Sequence, residues 1–202
     1  MPPIPKITKW LMIVLTGIFV VDTLLRMSGT FDLGGLFALH SLQFGFYPWQ
    51  FATYAFLHGN EMHLLFNLLA LWIFGSTLER LWGDRRYSQF LAVCAITGGL
   101  LHLIVGALRG APSSMIGASG AIYGLLMAQA MLFPNKMVSL MFPPVEITTR
   151  TYAIVFGVLE FWLGLRAQDL VAHFAHLGGM LGAFLIIQYW RGRPPFKGRR
   201  RF

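Results

Sequence analysis

Six apolar stretches fill most of the chain between residues 7 and 190, and few folds can accommodate so many segments without a charged face. They run over 7–25, 63–81, 90–108, 118–133, 151–165 and 170–190. In hydrocarbon every backbone N–H and C=O must be paired inside the protein, which makes stretches of this kind helices. A full crossing takes about 20 residues, so a chain of 202 residues accommodates six crossings with their loops. The composition agrees: 12% of residues are charged and 56% hydrophobic, against about 25% and 45–50% in an ordinary soluble domain. Disorder requires the opposite balance. The single cysteine, Cys94, excludes an internal disulfide framework or a CxxC knuckle. The expected fold class is therefore an all-α polytopic membrane protein, with one membrane domain over 1–190 and a basic tail over 191–202.

The net charge of +8 would suggest nucleic acid in a soluble chain. In a membrane protein it is an orientation signal. Thirteen of the 16 basic residues fall on the side shared by the termini and the second and fourth loops, and only Arg26, Arg109 and Arg166 fall on the other. This bias predicts cytoplasmic termini, with the tail held at anionic lipid and no nucleic-acid partner. The first stretch contains Asp22, is followed by Arg26 and lacks an A-x-A cleavage site, so it is expected to be a retained helix rather than a signal peptide. The loop over 26–62 is long and rich in aromatics, among them Phe31, Phe44, Trp49, Phe51 and Tyr54. Such a loop is expected at the outer membrane interface.

Several stretches are short, and four carry polar or ionisable groups of the kind that line aqueous cavities. With this orientation the second, fourth and sixth all run inward from the outer face. Each carries its unusual polar residues within its first two turns: His63 and Asn67, Ser119, and His176. At ~1.5 Å per residue these lie within about 10 Å of the outer surface. Ser119 stands among Gly117, Gly120 and Gly124, a setting that suits either a nucleophile at a helix start or a small-residue packing face. His176 is followed by the pairs Gly178 with Gly182 and Gly179 with Ala183, which let a neighbouring helix approach closely. By itself His176 fits a helix cap or a pore lining as well as a base. His63 and Asn67, four apart, share a helix face and suit either an oxyanion or a polar interhelical contact. Together the three clusters supply the nucleophile, base and oxyanion donors of acyl transfer.

These motifs resemble the rhomboid intramembrane serine proteases. The resemblance rests on His63-Leu64-Leu65-Phe66-Asn67 as HxxxN, Gly117-Ala118-Ser119-Gly120 as GxSG, and Ala175-His176-Leu177-Gly178-Gly179 as AHxxG. Glu79 and the glycine-bearing turn at Gly83 add to it. It implies a six-transmembrane-helix rhomboid-like bundle and a serine endopeptidase acting on transmembrane protein substrates, without metal or cofactor. By the resemblance Ser119 is the nucleophile, His176 the base, and His63, Asn67 and the Ser119 N–H the oxyanion hole. Tyr123 packs against the histidine, Gly117, Gly120 and Gly179 support the site, and His58 is structural. The resemblance implies a dyad with no acidic third member, and the sequence places no Asp or Glu beside His176, since Asp169 is two turns earlier and near the surface. Glu160 is read as an interhelical hydrogen-bond partner, with a proton-relay role as the lesser alternative, and His173 as an interfacial residue. Two departures are Ala183 in place of a glycine, and Trp49-Gln50 in place of Trp-Arg in the first loop, which leaves that loop's anchor open. Competing readings are a non-catalytic rhomboid-like client-binding protein and a small transporter. The expected location is a bacterial or archaeal plasma membrane, with the active site near its extracytoplasmic face.

Overall fold

The computed structural model describes residues 3–110, 112–139, 145–166 and 170–192. The basic tail from Arg193 onward and Asp169 lie outside the described residues. Helix α1 spans Lys6–Met27. A loop follows with two short helices, α2 (Leu33–Phe37) and α3 (Gln50–Thr53), a two-residue strand β1 (Leu39–His40) and a 3-10 turn at Tyr54–Phe56. Helix α4 (Glu61–Ala70) continues through a π-helical turn, Leu71–Gly75, into α5 (Ser76–Arg109). Strand β2 (Ser114–Met115) precedes α6 (Ser119–Leu132). A hairpin of β3 (Met137–Ser139) and β4 (Glu146–Thr148) leads to α7 (Thr149–Arg166) and α8 (Leu170–Trp190).

Gly83 divides α5. Its φ of 73° and ψ of 168° are open to glycine and strained for other residues, so 76–82 and 84–109 form two rods. The expected gap between the second and third stretches is therefore shorter than the sequence suggested, because Asp84, Arg85 and Arg86 are already helical. Two helical runs among the described residues are long and apolar enough to cross a membrane, Lys6–Met27 and the interrupted Glu61–Arg109. Helix α6, with 14 residues, is apolar and shorter. The outward faces are apolar: Trp10, Val21 and Leu24 on α1, Ile104 on α5, and Ile154, Val158 and Phe161 on α7 are all exposed. So much exposed apolar surface on three helices suits hydrocarbon rather than water.

Helix α8 is the central rod and packs on α5, α6 and α7. Glycines set these contacts. A Cβ on Gly178 would stand 2.6 Å from the Thr97 carbonyl oxygen, and one on Gly179 would overlap the carbonyl of Gly120. Without a hydrophobic drive between helices in lipid, such close backbone packing is a main source of association. The first loop is tied to the rest at defined points. Leu39 pairs with Met115 and His40 with Ser114, and the Tyr54 hydroxyl donates to the Ala95 carbonyl at 2.7 Å. Gln50 is fully buried: its Oε1 accepts from the His40 and Tyr47 N–H groups, and its Nε2 faces the Leu36 and Gly45 carbonyls. Both donors and both acceptor sites of the amide are used. Gln50 is thus the anchor that the missing arginine left open.

Helix α1 is held at its start by a residue from another rod. Glu79, 2% exposed, accepts from the Ile7 N–H, the Thr8 N–H and the Thr8 hydroxyl, each at 2.7 Å. Its own N-cap, Pro5, supplies no side-chain cap. The carboxylate therefore satisfies orphan N–H donors and meets the positive end of the helix dipole. Glu79→Ala is expected to lower stability by about 3 kcal/mol, since it strands buried donors. Thermal unfolding in detergent checks this, with Glu79→Gln expected to fall between the two.

Candidate active site

Helix α6 begins at Ser119, so the N–H groups of its first turn have no intrahelical partner, and the serine stands at the positive end of the helix dipole. The turn before it requires glycine. Gly117 has φ 115°, and the position a Cβ would take lies 2.6 Å from His63 Nε2 and 3.8 Å from Ser119 Oγ. Removing that methyl-sized volume is what allows the His63 ring and the serine to face the same space. The turn is clamped by the Gly117 N–H, which donates to the Tyr54 carbonyl at 2.9 Å. Tyr54 in turn holds α5 through its hydroxyl, so the first loop positions the serine.

His176 Nε2 is 2.8 Å from Ser119 Oγ. The His176 ring stacks on Tyr123 at 4.3 Å between centroids and 6° between planes, which fixes its rotation. The ring belongs to the same α8 face as Gly179, one turn on, whose contact with Gly120 brings the two helices together. Gly120 and Gly179 thus meet each other, and Gly117 meets His63.

On α4, Asn60 caps the helix by accepting from the His63 N–H at 2.8 Å. His63 Nδ1 lies 3.5 Å from the Gly59 N–H, at the outer limit of a hydrogen bond. An accepting Nδ1 leaves the proton on Nε2, the atom aimed at the Gly117 turn. Asn67 is buried and its amide donates to the His63 carbonyl at 2.8 Å, one turn back in its own helix. One of its two N–H bonds is used there, and among the described residues the other has no partner. His58 is 1% exposed and packs edge-on to His63 at 5.0 Å.

Two residues join this group against expectation. Glu160, 6% exposed on α7, places its Oε2 2.6 Å from His173 Nδ1 and 3.1 Å from His176 Nδ1. Its Oε1 accepts from the Tyr123 hydroxyl. The expectation that no acid stands beside His176 is therefore corrected, and His173 faces the site rather than the interface alone. The spacing of His173 and His176 along one helix face was readable, and so was an ionisable group inside an apolar stretch. The rotation of α7 that turns Glu160 onto that face was not. The two imidazoles and the carboxylate have donor atoms within 4.8 Å of one another, as a metal set would. The 2.6 Å separation is that of a shared proton, well short of the about 3.3 Å between two donors on one zinc at ~2.0–2.1 Å.

An apolar cavity of about 360 Å³ adjoins the start of α6, lined among others by Leu11, Leu15, Phe51, Ala118 and Ala121. It contains no ionisable side chain and so offers volume without chemistry.

The profile of the Rhomboid domain matches residues 46–193. The chain is 32% identical over 136 residues to "Rhomboid protease GluP" of Bacillus subtilis (strain 168), covering 67% of this chain and 25% of that protein. It is 30% identical over 145 residues to "RHOMBOID-like protein 4" of Arabidopsis thaliana, covering 68% of this chain and 33% of that protein. The chain thus spans a quarter to a third of the length of these relatives.

His58, in the loop ahead of α4, is pushed down from 6.5 to about 4, first by burial and then by the neighbouring His63. The unfolded chain binds a proton below pH 6.5 that the folded chain refuses down to about 4, so stability holds above 6.5 and falls as pH drops between the two. Unfolding temperatures in detergent across this window are expected to show that slope, and His58→Gln to flatten it.

Proposed function

Because the chain belongs to the rhomboid family and is an integral membrane protein, we propose that it is an intramembrane serine endopeptidase cleaving transmembrane protein substrates. The observation that carries this reading is the 2.8 Å contact between Ser119 Oγ and His176 Nε2 at the start of a helix. His176 takes the hydroxyl proton as Ser119 attacks the peptide carbonyl. The developing oxyanion is met by the Ser119 N–H, His63 Nε2 and the second N–H of Asn67. The proton on His176 then passes to the leaving amine, and water resolves the acyl-enzyme by the same base. A substrate helix must unwind first, since its own hydrogen bonds shield the scissile bond.

On this reading residues 1–190 form the six-span membrane domain and 191–202 a basic cytoplasmic tail. The basic bias supports cytoplasmic termini, which puts Ser119 near the extracytoplasmic face. A Bacillus subtilis relative agrees with a bacterial plasma membrane. A client-binding role has no support from a missing serine or histidine, as both are here and in contact. A transporter is disfavoured because the polar groups gather at one end of α4, α6 and α8.

Fluorophosphonate is expected to label the wild type in detergent and to leave Ser119→Ala unlabelled. Cleavage of a single-span model substrate is expected to fall at least a hundredfold in Ser119→Ala and in His176→Ala. Persistent labelling of a folded Ser119→Ala protein would remove the nucleophile assignment.

A further inference from the structure

A histidine that accepts a proton from serine through Nε2 must carry its own proton on Nδ1. In this protein the His176 Nδ1 is fully enclosed and, among the described residues, has no aligned hydrogen-bond partner. The polar atom standing against it is Glu160 Oε2, 3.1 Å away. An ionised carboxylate can only accept, so an unprotonated Nδ1 at that distance would set a lone pair against an anion. The carboxylate therefore favours the Nδ1–H tautomer and leaves the Nε2 lone pair for Ser119. When His176 becomes imidazolium during attack, the same carboxylate faces the new charge across a buried gap, where the interaction is stronger than in water.

The remaining contacts hold the carboxylate in place. The Tyr123 hydroxyl donates to Oε1 from α6, and His173 Nδ1 donates to Oε2 at 2.6 Å from α8. Tyr123 thereby touches both the carboxylate and the imidazole, since its ring also stacks on His176. The described cationic and titratable groups around the carboxylate are these two imidazoles and Tyr123, with Tyr152 on α7 and His63 on α4 further out. We propose that Glu160 is the positioning residue of this active site, a carboxylate from α7 that sets the tautomer of His176 and completes a Ser119-His176-Glu160 relay, with Tyr123 and His173 holding it. The inference rests on the serine-protease reading above.

The test measures kcat and KM for a single-span substrate, the fluorophosphonate labelling rate, and the unfolding temperature of the full chain in detergent. Glu160→Gln keeps the shape of the side chain but presents an N–H as readily as an oxygen to Nδ1. It is expected to lower kcat and the labelling rate at least tenfold, with KM within threefold and the protein folded at the assay temperature. Glu160→Asp is expected to recover part of the loss. A folded Glu160→Gln protein with kcat within twofold of wild type overturns the proposal, as does a loss confined to stability or KM. Nitrogen-15 spectra of ring-labelled wild type keep the proposal falsifiable even if the variant does not fold. The resonances lost in His176→Ala are expected to be a protonated Nδ1 and an unprotonated Nε2, and the reverse tautomer overturns the assignment. If Ser119→Ala still labels, the serine reading itself falls. If Ser119→Ala is silent while Glu160→Gln reacts at the wild-type rate, only the role of Glu160 is lost.

Discussion

The backbone approach of α8 to α5 and α6 is the constraint on which the rest of the structure depends. Gly178 and Gly182 admit the Thr97 backbone and side chain of α5, while Gly179 admits the Gly120 carbonyl of α6. Ala183, where the family pattern has a glycine, is fully buried and tolerated. One added carbon at Gly179 would part the two helices that carry Ser119 and His176. The 2.8 Å contact between those side chains is therefore inherited from main-chain packing, not from a flexible reach of either residue. Tyr123 then removes the remaining freedom of the imidazole by stacking on its face.

A second layer of positioning comes from the first loop, whose aromatic content suggests only that it avoids bulk water. In the structure it is tied down by polar atoms. Gln50 saturates its amide inside the loop, β1 pairs with β2 just ahead of the serine, and Tyr54 bridges α5 to Gly117. The loop thus fixes the turn whose left-handed glycine lets His63 face Ser119. A change far from the serine, at Gln50 or Tyr54, acts on the site through that turn.

The helices were legible in the sequence to within a few residues because apolar stretches contrast sharply with what flanks them. The largest shift is at the third, where 84–89 are helical though charged and polar. Hydropathy marks what is buried in lipid, while a helix continues wherever its hydrogen bonds do. The meeting of His63, Ser119 and His176 was legible for a related reason: each sits in the first turns of a stretch entering from one side, so depth alone aligns them. Glu160 was visible as an anomaly inside the fifth stretch, but its partners were not. Depth follows from counting residues, whereas the face a helix turns to its neighbours depends on packing that no single stretch encodes. The contact of His173 with Glu160 was missed for the same reason.

Three buried carboxylates show how differently one chain can carry negative charge in an apolar interior. Asp22 has a cation four residues on, Arg26 at 2.7 Å, and accepts from the Leu33 N–H. Glu79 has a helix start, whose donors are two backbone N–H groups and a hydroxyl. Both arrangements satisfy the charge and hold two segments together. Glu160 is surrounded instead by a phenol and two imidazoles, groups whose protons exchange. Backbone amides would have held that carboxylate as firmly. What imidazoles add is the ability to change charge beside it, and one of them is the ring in contact with Ser119. The choice of donors, rather than the burial of the acid, separates the carboxylates that join segments from the one that faces the His176 ring.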